Sequence, residues 1–226
     1  MFFADVLFPK MCLGCGYLGV YICPKCLKKL KPVEKDICPH CERPSFFGLT
    51  HPACQKTGRL DGLVSIFYYD DFLKKIIKSI KYRLATEVWH DFCRIIEPES
   101  LYKISRYRAL SMKFFLQPVP LHSHRLRERG FNQAQLIARF FHSYTNYPLS
   151  DFLKRTKVTT AQAQLKTGQK RYHNISGVFA VTTPVRGKKI ILIDDVATTG
   201  ATLKEAARVL KRAGAKSVYA LVMAKG

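Results

Sequence analysis

The sequence predicts an α/β protein built on a parallel sheet, preceded by a small cysteine-rich metal-binding module, and three observations carry that expectation. Ile190–Ile193 is a run of four aliphatic residues without polar alternation, the pattern of a strand covered on both faces. Asp194 and Asp195 follow it, then a small hydroxyl-rich turn and a helical pattern in which Leu203, Ala206, Ala207 and Leu210 share one face. Between Cys12 and Cys54, four pairs of metal-ligating residues each keep two residues between partners.

The amino-terminal expectation is a zinc module over residues 1–57, with the α/β domain over 58–226. Its ligand pairs are Cys12/Cys15, Cys23/Cys26, Cys38/Cys41 and His51/Cys54. A two-residue spacing is what a tight knuckle offers a tetrahedral cation, and a closed four-ligand site is structural because it leaves no open position for chemistry. Disulfides are the competing reading. The chain opens without a positively charged leader and has no apolar run of spanning length, so a cytoplasmic protein with reduced thiols and no membrane insertion is expected. One or two zinc ions, and sequential or crossed pairing, both remain open here, as does the ligand role of His51 against His40. Lys25, Lys28, Lys29 and Lys31 make the spacers basic. Cys93, beside Trp89 and Phe92, reads as a structural thiol.

From Leu60 onward the pattern changes. Leu63–Tyr69 reads as a strand and 71–82 as a helix with Phe72, Ile76, Ile77 and Ile80 on one face and lysines elsewhere. Residues 86–114 read as helix and then loop, with a strand near Lys113–Val119. Pro118-Val-Pro120 ends that strand, and Arg125, Arg127 and Arg129 follow at alternate positions before Phe131-Asn132-Gln133 and a helix. Guanidinium forks suit pyrophosphate or nucleic-acid phosphates, whereas His122 and His124 read as solvated members of the same basic polar loop. Residues 160–178 are small and polar and read as a loop.

At 190–202 the strand is expected to end at the two acids. The turn Thr198–Ala201 lets backbone N–H groups approach an anion, and Thr202 with Glu205 reads as a capping box opening a helix that Gly214 closes before a strand at Ser217–Val222. Amides, hydroxyls and a helix dipole converge at the carboxyl end of a parallel strand, so this is an anion site. Adjacent carboxylates add acceptors for sugar hydroxyls and a seat for hydrated Mg²⁺, which points to a sugar phosphate. An ATPase magnesium strand would need a G-x-x-x-x-G-K-[ST] loop, and the chain has none.

Charge narrows the partners. The 226 residues carry 38 Lys and Arg against 16 acids, a formal net charge of +22, with 47% apolar residues. Thirty of those cations and twelve acids lie in 58–226. Zinc thiolates would lower the total by about three. A polyanion is the expected partner. Tyr82, Phe131, Tyr144 and Tyr172 stand among basic residues as candidate base stackers, with core packing as the alternative role.

The block 190–202 resembles the phosphoribosyl pyrophosphate (PRPP) motif of type I phosphoribosyltransferases. The resemblance implies that Asp194 and Asp195 meet ribose hydroxyls as the catalytic acids, with Mg²⁺, and that Val196, Ala197, Thr198, Thr199, Gly200, Ala201 and Thr202 cradle PRPP or ribose phosphate. Pro118-Val-Pro120-Leu-His122 with Arg127-Glu-Arg129-Gly-Phe-Asn132-Gln133, then Thr160-Ala-Gln162 through Arg171-Tyr-His-Asn174-Ile-Ser-Gly177-Val-Phe179, resembles the competence protein F (ComF) family. The sequence carries one residue more than the family pattern between Leu165 and Arg171, and His51 where the family usually has cysteine. The resemblance implies a type I phosphoribosyltransferase-like domain after a zinc module, and a role in natural transformation: handling incoming single-stranded DNA with a helicase-like competence protein. Pro120, Arg125, Arg127, Arg129, Asn132, Gln133, Arg171 and Asn174 are then expected to meet pyrophosphate or DNA phosphates. The alternative is an active phosphoribosyltransferase with an unnamed acceptor.

Overall fold

The structure is a computed structural model and describes residues 9–80, 85–96, 102–105, 113–157 and 176–226. Four parallel strands form the central sheet: β1 (Gly62–Tyr68), β2 (Phe115–Pro118), β5 (Lys189–Ala197) and β6 (Ser217–Lys225), in the order β1-β6-β5-β2. β3 (Leu153–Arg155) and β4 (Phe179–Val181) form a separate antiparallel ribbon. The longer helices among the described residues are α1 (Asp71–Ile80), α2 (Ala85–Ile95), α3 (Ser123–Arg129), α4 (Gln133–Thr145) and α5 (Ala201–Arg212).

Both faces of the sheet are covered, which is why its strands lack polar alternation. Ile191 and Ile193 pack with Ile76, Ile77, Phe92, Ile137 and Phe141 from α1, α2 and α4. Ile190 and Leu192 pack on the opposite face with Leu203, Ala206, Ala207 and Leu210 of α5. The helix expected over 71–82 is described to Ile80, and its buried residues are Leu73, Ile76, Ile77 and Ile80; Tyr82 lies outside the described residues.

Three local expectations are corrected. β5 does not stop at the acids: its pairing with β6 runs through Asp194↔Val222 and Val196↔Ala224 to Ala197↔Lys225. The alternate arginines lie on the helix α3 rather than in a loop, with His122 as its N-cap. The capping box is not formed. Gly200, at φ +67, is the N-cap of α5 without a side-chain cap bond, and only glycine adopts that left-handed backbone freely.

Glu205 is used elsewhere. Buried to 2% exposure, its carboxylate accepts from the Gly177 N–H and from the Arg208 Nε and Nη2, all at 2.7 Å. Burial pushes the carboxyl up, but the Arg208 fork and the Gly177 amide outweigh it and hold it below the usual 4.5. Its stabilisation is therefore present above pH 4.5 and is lost as pH falls through the lower folded-state value. Glu205→Gln, which breaks the charged fork, is expected to cost about 2–3 kcal/mol in urea denaturation at neutral pH; a loss under about 0.5 kcal/mol would show that the fork contributes little.

The cysteine-rich segment covers the sheet edge. The Val33 N–H donates to Ile66 O at 2.8 Å and the Tyr68 N–H to Lys31 O at 2.9 Å, so β1 presents no open edge there. Lys103, 6% exposed, fastens this join. Its ammonium donates to Val33 O and, at 2.9 Å, to Ser65 O, and pairs with Asp36 at 3.4 Å.

Candidate functional site: two metal clusters and an anion turn

The eight expected metal ligands gather into two groups, Cys12/Cys15/Cys23/Cys26 and Cys38/Cys41/His51/Cys54, with the ligand atoms of each group within 4.8 Å of one another. Pairing is therefore sequential and there are two sites. Four sulfurs 2.3 Å from one tetrahedral ion would stand about 3.8 Å apart, and Cys15 Sγ and Cys23 Sγ are 3.6 Å apart. In the second group His51 Nδ1 is 3.3 Å from Cys41 Sγ, while its Nε2 faces Pro44 O at 3.0 Å. A carbonyl on the far nitrogen fixes the tautomer that leaves Nδ1 free to ligate. His40 instead turns its Nε2 to Leu60 O at 3.2 Å, so the histidine that joins the second cluster is His51.

The knuckles prepare thiolates. Burial pushes the Cys12 thiol up, yet backbone N–H groups of Cys23, Gly14 and Cys15 outweigh it and bring it down to about 6. Cys38 is brought to about 6 in the same way, by the amides of His51, Cys41 and His40 against the effect of burial. Gly14 is required by space: a Cβ there would stand 2.7 Å from Cys26 Sγ. Cys93 lies apart from both clusters, and burial pushes its thiol up to about 12, the state of an inert structural thiol.

The second site lies at the carboxyl end of β5. Successive strand side chains go to opposite faces, and the two acids divide accordingly. Asp195 lines a cavity of about 10 Å³ with Ile77, Trp89, Phe92 and Met223, room for one water. Asp194 lies on the α5 face, where its charge acts on Arg155. Both are half-buried, and each is braced by the chain: Asp194 Oδ1 accepts from the Asp195 N–H at 2.9 Å and Asp195 Oδ1 from the Val196 N–H at 2.8 Å. Thr198 is exposed, Thr199 and Thr202 half-buried, Ala197 and Ala201 buried. Thr199 Oγ1 accepts from the Ala201 N–H at 3.4 Å, which folds the turn over the first amides of the twelve-residue α5.

The expected phosphate residues divide. Residues four apart share a helix face, so Arg125 and Arg129 sit together half-buried while Arg127 is exposed on the other side of α3. The Arg125 charge acts on Arg155, and Asn132 and Gln133 are built into the frame. Asn132 caps α4 through the Ala134 N–H at 3.1 Å and donates to Val119 O at 3.0 Å, which sets the chain at Pro120. Gln133 is 5% exposed, accepts from Arg129 at 3.4 Å and lines the cavity beside Asp195. Arg171 and Asn174, with Tyr172 and the stretch 160–175, lie outside the described residues. Phe131 packs against the core, whereas Tyr144 is 55% exposed.

Arg155 is the residue that sequence reasoning missed. It ends β3, its guanidinium lies 5.7 Å from the Phe179 ring centre, and burial together with the Arg125 charge pushes it down while Asp194 pulls it up. Gln117, 1% exposed, seats that strand by accepting the Phe152 N–H at 2.6 Å. The run Phe152-Leu153-Lys154-Arg155 is a short strand signal, but nothing local aims it at Asp194. Asp194 and Arg125 thus both act by charge on Arg155, an arrangement able to hold a phosphorylated sugar with its charged ends on arginine.

Comparison with known proteins agrees with both halves. Residues 127–226 match the phosphoribosyl transferase domain family, and residues 3–58 the double zinc ribbon domain family. The chain is 30% identical over 217 residues to the DNA utilization protein YhgH of Escherichia coli K12, an overlap of 92% of this chain and 91% of that one. It is 31% identical over 201 residues to the competence protein ComFC of Bacillus subtilis, covering 85% of this chain and 79% of that one. With competence protein F of Haemophilus influenzae the identity is 26% over 210 residues, 90% of each chain.

Proposed function

The chain belongs to the family of competence protein F and ComFC, and from that premise we propose that it handles incoming single-stranded DNA in the cytosol, with a helicase-like competence protein, and keeps a pocket for PRPP or ribose phosphate. In the pocket the turn Ala197–Thr202 would hold a phosphate. Asp194 and Asp195 would accept from ribose hydroxyls, and Arg125 and Arg155 would face a pyrophosphate. Mg²⁺ bound with PRPP would supply charge neutralisation of its phosphates. Zinc would hold the two cysteine-rich knuckles against β1.

The observation that carries the DNA reading is the formal charge of +22. One sugar phosphate engages a few cations, and the remainder suits a long polyanion. No helix among the described residues is long and apolar enough to cross a membrane.

Fluorescence anisotropy with a labelled single-stranded oligonucleotide, over a salt series with and without Mg-PRPP, tests this. With about six phosphate contacts the log–log slope is expected near −4, a loss of a few hundredfold in affinity between about 50 and 200 mM salt. PRPP is expected to shift the binding curve. PRPP binding without DNA binding at any salt would overturn the DNA reading and leave a transferase in search of its acceptor.

A further inference from the structure

Between the segment Val33–Ile37 and the carboxyl ends of β1 and β6 lies a cleft of about 230 Å³. That is just under the range of closed small-molecule pockets, about 300–1,000 Å³, and suits a single ring entering from a strand that passes over the surface. Its walls include Val33, Ile37, Tyr68, Lys35 and Lys225. We propose that this cleft is a station for one nucleotide of single-stranded DNA, with the base stacked on Tyr68 and the flanking phosphates taken by Lys35 and Lys225. The proposal rests on the DNA reading above and assigns it a location.

Tyr68 argues for a ligand. The six preceding residues of β1 are buried, yet Tyr68 at the strand's end is 46% exposed. An aromatic face left in water beside cations is a stacking platform, tolerant of base identity because every base has a π-face. Backbone pairing holds it in place: its N–H donates to Lys31 O at 2.9 Å, and Lys225 is its register partner on β6.

The charges fit an anion. Lys31 and Lys35 are exposed, and Asp36, the acid of the cleft wall, is turned to Lys103. Lys225 is half-buried. Burial pushes its ammonium down, Glu42 pulls it up, and Lys204 pushes it down again. A cation that burial has partly stripped of water gains from an arriving phosphate. The cleft also adjoins the anion turn: the Gly226 N–H donates to Ala197 O at 3.2 Å, and a Cβ on Gly226 would touch Thr198 at 3.7 Å. A strand stacked on Tyr68 thus has the turn as its neighbouring anion site.

Photo-crosslinking of the full chain to an oligonucleotide carrying 5-iododeoxyuridine, followed by peptide mapping, tests the location. The expected adduct is on the peptide containing Tyr68. Tyr68→Ala is expected to weaken binding between about fivefold and 150-fold, the range of a lost base–aromatic stack, whereas Tyr68→Phe stays within about twofold because the ring remains. Lys35→Ala with Lys225→Ala should flatten the salt slope by about 1.4, two phosphate contacts on a single strand. Zinc content and melting temperature should stay at wild-type values in all three. Tight DNA binding with adducts elsewhere and an unaffected Tyr68→Ala variant would overturn the station and leave the DNA reading intact. An absence of DNA binding by the wild-type chain would overturn both. Occupation of the cleft by a poly-glutamate peptide that DNA fails to displace would make it a protein-docking face instead.

Discussion

Cys12→Ser with Cys15→Ser is expected to halve the zinc content, from two ions per chain to one, and to unfold the segment around residues 10–30. Tyr21, Ile22 and Leu30 tie that segment to the main core, but its cysteine-bearing turns have only a small cluster of their own. Its local cluster consists of Cys12, Cys23 and Cys26 with Val20 and Phe72 against them, and its hydrogen bonds to the rest of the fold include the Tyr21 N–H to Asp91 at 2.9 Å. Structural zinc contributes about 10–16 kcal/mol of apparent binding free energy, as much as the whole stability of an ordinary domain, about 5–15 kcal/mol. Without the ion, burial together with the neighbouring thiols pushes Cys26 up to about 12. Metal analysis by mass spectrometry and amide exchange across 10–30 check the result. Unchanged metal content would mean that these are not ligands. The second cluster offers a control on ligand identity: His51→Ala is expected to release its ion, while His40→Ala, whose ring faces Leu60 O, keeps it.

What the sequence allows to be read follows the range over which each signal acts. Ile190–Ile193, the C-x₂-C pairs and the face Ile76/Ile77/Ile80 are local patterns, and each has the burial or grouping expected of it. The strand's extension to Ala197 is set by its partner β6, 28 residues on at Lys225, and no local feature distinguishes it from a strand stopping at Asp194. Glu205 three residues after Thr202 looks like a capping box, but the Gly177 amide and the Arg208 fork compete for the same carboxylate and win by burial. Asn132 and Gln133 sit beside arginines in sequence and so look like phosphate ligands; one caps a helix and the other faces the core. Arg155 was invisible for the opposite reason. It comes within the influence of Asp194 through the placement of β3, which Gln117 anchors by a tertiary contact between residues 35 apart. His51 against His40 was undecidable by spacing and turns on one carbonyl, Pro44 O.

Asp194→Asn with Asp195→Asn is expected to abolish PRPP binding and to leave the fold standing. Hydrogen bonds to a charged group contribute about 1.5–3 kcal/mol each, so loss of two carboxylates corresponds to about a hundredfold to ten-thousandfold weaker binding. The amide keeps the shape and one carbonyl oxygen, and that oxygen can still accept the backbone N–H bonds at 2.9 and 2.8 Å that brace the two side chains. The melting temperature should therefore move little. The two positions are not equivalent, because alternation sends them to opposite faces. Asp195→Asn places a neutral amide beside Gln133 at the small apolar cavity. Asp194→Asn removes the anion that pulls the Arg155 guanidinium up against burial and Arg125, so the repulsion from Arg125 is no longer offset by Asp194. The Asp194 variant should accordingly bind inorganic pyrophosphate more tightly than wild type while losing the ribose-dependent part of PRPP affinity, and the Asp195 variant should show the loss without the gain. Isothermal titration with PRPP, ribose 5-phosphate and pyrophosphate separates these contributions. Undiminished PRPP affinity in the double variant would remove the acids from the pocket and leave the turn Ala197–Thr202 as a phosphate site alone.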